Sequence, residues 1–172
     1  MVLTASSFLD VEKAFELPNS RAIINILASR GVSGKLLSWT SDYLQLRKAH
    51  VRFQGTLSDI QIFENGTPHG CILSPFLFNM LKADLISIPL PPNTYLLAYA
   101  DDLQLISTGR HRFAHAQIAL DRLHSRCQSL GLKINSQKTR GLQTRHSISN
   151  QGRKDKLGRF TQMFGGVLQY LE

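Results

Sequence analysis

Two short apolar runs, Thr94 to Tyr99 and Leu103 to Ile106, stand on either side of a pair of adjacent carboxylates, Asp101 and Asp102. Both runs are rich in strand-forming residues, so the segment reads as a hairpin whose tight connection is Ala-Asp-Asp. A chain with such a hairpin is built around a sheet, with two like charges at one end of it. Those charges repel each other, and a divalent cation is an effective compensator. Mg²⁺ and Mn²⁺ prefer carboxylate oxygens and keep open positions for phosphates. Aspartate is also an ordinary turn residue that caps nearby backbone amides. The pair acquires chemical meaning only if other segments bring matching groups to it.

The chain has 172 residues, the length of one domain, and 42% hydrophobic composition is enough for a real core. A formal charge of +8 favours an anionic partner such as nucleic acid over a neutral metabolite. Cys71 and Cys127 are the two cysteines; with no secretory leader, they imply an intracellular chain without disulfides. No apolar run reaches the length of a membrane span. Both ends read as cut from something longer, and no internal repeat is present.

Met1 to Leu9 reads as a buried strand ending at Asp10, the position where α/β proteins often place chemistry. Pro18, Asn19 and Ser20 start a helix that Gly31 ends. Ser33 is expected to cap a second helix with Leu36, Leu37, Thr40, Tyr43 and Leu44 on one face, Trp39 packing at its edge. Residues 48–54 and 57–63 alternate around Gly55 as a hairpin with one wet face, on which Lys48, His50 and Arg52 line up. Gly66 and Gly70 then permit close approach to a ligand or another chain, and Ser74-Pro75 opens a helix. Residues 114–130 form a long amphipathic helix, and 132–144 a strand, a turn bearing Lys138, and another strand. His111, His115 and His124 match no metal-ligand spacing with the cysteines. A basic tail, 145–172, follows.

Four blocks stand in fixed order: LDVEKAF (9–15), NGTPHGCILSPFLFN (65–79), AYADD (98–102) and LGLKINSQKT (130–139). In that order they resemble the palm of reverse transcriptases, most closely those of non-long-terminal-repeat (LINE-type, Jockey-like) retrotransposons. The resemblance implies an α+β fold, a polymerase palm with a small antiparallel sheet and helices packed on one face. It spans 1–144, with a fingers segment expected before it. The tail is expected to begin a thumb or primer-grip region. The implied activity is RNA-directed DNA polymerisation with Mg²⁺ or Mn²⁺, an RNA template, a DNA primer and deoxynucleoside triphosphates, in the nucleus.

By the same resemblance Asp10 and Asp101 bind both metals with help from the Val11 carbonyl, and Asp102 is the more peripheral carboxylate. Lys138 is the general acid toward pyrophosphate. Phe15 is a steric gate against a 2′-hydroxyl, with a core phenylalanine as the alternative. His69 and Gly70 face the incoming nucleotide, and Tyr99 lies under the primer terminus. Two departures from the family pattern are His69, where glutamine is usual, and Glu16, where aspartate is usual. Histidine cannot reproduce both contacts of an amide. A different reading rests on charge alone: a non-catalytic remnant that binds nucleic acid, or a genomic fragment without function.

Overall fold

The computed structural model describes residues 2–146. In chain order the elements are β1 (Val2–Glu12), α1 (Ser20–Ser29), α2 (Gly34–Leu44), β2 (Arg47–Ala49), β3 (Arg52–Phe53), β4 (Thr56–Leu57), β5 (Gln61–Phe63), α3 (Leu73–Leu85), β6 (Thr94–Tyr99), β7 (Asp102–Thr108), α4 (Arg112–Leu130), β8 (Lys133–Ile134) and β9 (Arg140–His146). They fall into two compact units. Residues 1–12, 85–128 and the described part of 133–172 make the first, and 13–84 with 129–132 the second. The basic tail beyond β9 lies outside the described residues.

The first unit is built on a five-stranded antiparallel sheet in the order β6-β7-β1-β8, with β9 also on β1. Side chains alternate across a strand, and in β1 Ala5, Ser7, Leu9 and Val11 are buried while Phe8 is exposed. Their register partners repeat the pattern: Leu9 faces Leu103, Ser7 faces Leu105 and Ala5 faces Ser107, all buried. On α4, Ala116, Ala119, Leu120, Leu123 and Cys127 form the buried stripe of this unit. The other face of the sheet is open and carries Tyr95, Leu97 and Tyr99, all exposed. The expected α+β architecture, helices together with a small antiparallel sheet, is what the chain forms.

β1 does not stop at Asp10. Val11 and Glu12 continue it by pairing with Ile134 and Lys133 of β8, and the Lys133 ammonium sits 3.1 Å from the Glu12 carboxylate. α4 also starts earlier than expected, at Arg112, because the His115 amide donates to the His111 carbonyl and closes a first turn ahead of the apolar stripe.

In the second unit, the Asn19 side chain accepts from the amides of Arg21 and Ala22, which fixes the start of α1. Gly31, with φ +90°, ends it. Ile23, Ile26, Leu27, Leu44, Leu77, Phe78 and Leu81 are the core. Three expectations need correction here. Ser33 occupies the N-cap of α2 but makes no side-chain capping bond. Only Thr40 and Leu44 of the expected α2 face are buried; Leu36 is exposed, and Trp39 stacks on Tyr43 at 5.3 Å with half its surface in solvent. The 48–63 hairpin is two separate ribbons, β2 with β5 and β3 with β4. Apart from the half-buried Arg47 both faces are exposed, because a two-stranded ribbon cannot bury its own side chains. Lys48 and Arg52 therefore lie on different ribbons, and His50 on neither.

The two cysteines are free and differ in reactivity. Cys71 is exposed, while burial pushes the Cys127 thiol up to about 12. A thiol reagent should label one cysteine per native chain, at Cys71, and both after unfolding. The folded state holds Cys127 protonated above its ordinary value of 9.0, so its contribution to stability is present below pH 9 and disappears as pH climbs to about 12. Labelling of both cysteines at equal rates in the native protein would contradict this burial.

Candidate active site

The register of β1 against β7 decides which carboxylates meet. Asp10 pairs directly with Asp102, and Tyr99 pairs with Asp102 from the other side. The hairpin loop is therefore Ala100-Asp101, two residues long, and Asp102 already belongs to β7. Ala100 adopts φ +49°, a left-handed value that two-residue hairpin loops demand. The Val11 amide donates to the Asp101 carbonyl at 3.1 Å, which holds the loop against β1. Asp10, Asp101 and Asp102 thus gather at one end of the sheet. Asp10 and Asp102, as register partners, share its open face. Val11 points its side chain into the core, so only its backbone is available to a ligand.

Lys138 arrives from a turn built by Asn135. The Asn135 side chain accepts from the amides of Gln137 and Lys138, and its carbonyl accepts from the Thr139 amide. The Asn135 amide donates to the Asp10 carbonyl at 2.8 Å, tying that turn to the carboxylate strand. Lys138 Nζ then lies 3.1 Å from Asp10 Oδ1. Asp10 is 18% exposed and Lys138 65%. Phe8, Asp10, Leu97, Tyr99, Asp102, Gln104 and Lys138 line a depression of about 560 Å³.

The donor set suits a hard divalent ion: all the carboxylates are oxygen donors, and an ammonium already stands against Asp10 as a cation would. Among the described residues no three His, Cys, Asp or Glu side chains converge into a ready-made metal cage.

The remaining expected site residues lie in the second unit and form their own cluster. Phe15 packs its ring 5.4 Å from Phe78 and 5.9 Å from His69, and it is only half-buried. His69 Nε2 is 3.5 Å from Glu16 Oε1, so the two departures from the family pattern meet each other. Gly66 makes a close approach to the chain's own backbone, at the carbonyls of Phe15 and Glu16. Gly70, with φ +75°, faces open space.

Residues 3–154 match the family described as reverse transcriptase (RNA-dependent DNA polymerase). The chain belongs to the reverse transcriptase family. This reverse transcriptase chain is 29% identical over 143 residues to a probable RNA-directed DNA polymerase from transposon BS of Drosophila melanogaster, covering 77% of the chain and 15% of that relative. Solved structures of telomerase from Candida tropicalis share its fold. The apo enzyme truncated of its C-terminal domain matches with TM-score 0.64 and 15% identity over 86% of this chain and 32% of that one. The complex with a fragment of telomeric RNA matches with TM-score 0.68 and 13% identity over 90% and 28%. The chain thus spans a small part of the length of these relatives.

Sequence reasoning on this reverse transcriptase missed Phe8, Leu97 and Gln104, which line the depression beside the carboxylates. The signal was present: Phe8 is two residues before Asp10, and Gln104 two after Asp102, so period-two alternation places each on its neighbour's face.

Proposed function

We propose that the chain carries the nucleotidyl-transfer centre of a non-long-terminal-repeat retrotransposon polymerase, which extends a DNA primer on an RNA template using deoxynucleoside triphosphates. The observation that carries this reading is the direct pairing of Asp10 with Asp102, next to Asp101 and beneath the Lys138 ammonium. Divalent Mg²⁺ or Mn²⁺, when bound, lowers the pKa of the attacking hydroxyl and neutralises charge on the phosphates. Asp10, Asp101 and Asp102 would hold it, with the Val11 carbonyl as a further oxygen donor. Lys138 pairs with Asp10. Released from it, its ammonium can hand a proton to the leaving pyrophosphate.

Tyr99, 84% exposed on the open face, offers a ring on which the primer terminus rests. In the second unit, Phe15 acts as the gate against a 2′-hydroxyl, and His69 and Gly70 meet the nucleotide. The half-exposure of Phe15 supports a gate over a core residue. Residues 1–144 are the palm, and 145–172 lead toward a thumb. Target-primed insertion into DNA would place the protein in the nucleus.

Calorimetric titration of Mn²⁺ in the presence of a primer–template and one deoxynucleotide tests the reading. Asp101→Asn should weaken uptake by about tenfold, the loss of one charged ligand. A folded protein whose metal uptake ignores Asp101, and whose nucleic-acid binding simply fades with salt, would instead be a non-catalytic binder.

A further inference from the structure

Helix α4 starts in a run of cations. Residues 109–115 read Gly-Arg-His-Arg-Phe-Ala-His, and the first turn of the helix contains no acidic residue. Arg112 is the unusual member, being only 8% exposed. No carboxylate among the described residues pairs with it. Its Nη1 reaches only the Gly109 carbonyl, at 3.5 Å, and its guanidinium lies 4.2 Å from the centre of the Phe113 ring. Its Nε is buried without a hydrogen-bond partner.

A guanidinium withdrawn from water and left without an anion is costly, and natural proteins seldom keep one without a counter-charge. This one sits at the N-terminus of a 19-residue helix, where free backbone amides and the helix dipole both favour negative charge. Arg110 and His111 are exposed at the rim. His115, its ring 6.0 Å from that of His111, is anchored through Nδ1 to the Pro92 carbonyl at 2.9 Å. A buried guanidinium nitrogen without a partner, two exposed basic side chains and the first-turn amides thus fall within one short stretch, and all of them suit an oxyanion.

We propose that the N-terminus of α4 is a phosphate-binding site, with Arg112 as its floor and Arg110 and His111 as its rim. The phosphate is either a free inorganic ion or one group of a nucleic-acid backbone; the chemistry is the same. The site follows the far end of β7. Asp102 to Thr108 spans six strand steps, about 20 Å, so a phosphate here leaves the carboxylate end of the sheet accessible.

Thermal unfolding of the full chain in sodium phosphate, against sodium chloride at matched ionic strength, is the first measurement. Phosphate should raise the unfolding temperature of the wild type beyond chloride. Arg112→Met removes the unpaired charge while keeping an apolar stem. It should raise the unfolding temperature in chloride and cut phosphate affinity by about tenfold or more. Arg110→Ala with His111→Ala, both at exposed positions, should weaken phosphate without moving stability in chloride, and this pair decides the matter if Arg112→Met does not fold.

The proposal is overturned if phosphate gives the wild type nothing beyond chloride, or if the rim variants bind phosphate as tightly as the wild type. A short oligothymidylate identifies the source. Competition between strand and phosphate, lost in the rim variants, assigns a backbone phosphate. Strand binding that ignores both assigns the free ion.

Discussion

Asp10→Asn should lower single-nucleotide incorporation by about 10³-fold, equivalent to about 4 kcal/mol of transition-state stabilisation. Asparagine keeps the shape of the side chain and removes the charge that faces Asp102 and Lys138. The fold should survive, because the ion pair lost is largely exposed on the lysine side and such pairs contribute at most about 1 kcal/mol. Asp102→Asn is the informative companion. In the metal-free chain two like charges stand directly opposite in adjacent strands, and relieving them should stabilise the protein by roughly 0.2–1 kcal/mol, even as metal uptake weakens. Opposite signs from one substitution distinguish a metal-holding pair from a structural one. Incorporation unchanged by Asp10→Asn, in protein with wild-type circular dichroism, would remove Asp10 from the proposed centre.

The parts of this site that were legible in the sequence were the ones set by local chemistry. The β6–β7 hairpin, the Asn19 start and Gly31 stop of α1, and the Lys138 turn each follow from a few neighbouring residues. Pairing was not legible. That Asp10 faces Asp102, with Asp101 in the loop, depends on a two-residue connection in which alanine takes a left-handed φ usually left to glycine or asparagine. Nothing about Ala100 signals this. β1 likewise overran Asp10 because β8, more than a hundred residues later, supplied partners for Val11 and Glu12. The α2 face failed for another reason. Helical spacing shows which residues share a side of a helix, but not whether anything covers that side, and here Leu36 and Trp39 remain in solvent.

Gly66→Ala should be the most damaging small substitution in the second unit, costing on the order of 3 kcal/mol and lowering the unfolding temperature by about 10 °C. Two penalties coincide. At φ +76° an L-residue is strained, and a Cβ would fall 2.5 Å from the carbonyl oxygens of both Phe15 and Glu16. Neither obstacle is a flexible side chain. The Gly66 amide donates to the Pro18 carbonyl at 2.8 Å and the Thr67 amide to the Phe15 carbonyl at 2.7 Å, so any retreat breaks the bonds that hold the Phe15 segment in place. Gly70→Ala separates the penalties: with φ +75° but open space around it, it should cost only about 1 kcal/mol and about 3 °C. If incorporation is followed in the same variants at a temperature where both are folded, Gly66→Ala should also relax discrimination against ribonucleotides if Phe15, carried by the displaced backbone, is the gate proposed above. Equal melting temperatures for the two variants would show that the contact between residue 66 and the Phe15 carbonyl does not constrain the loop.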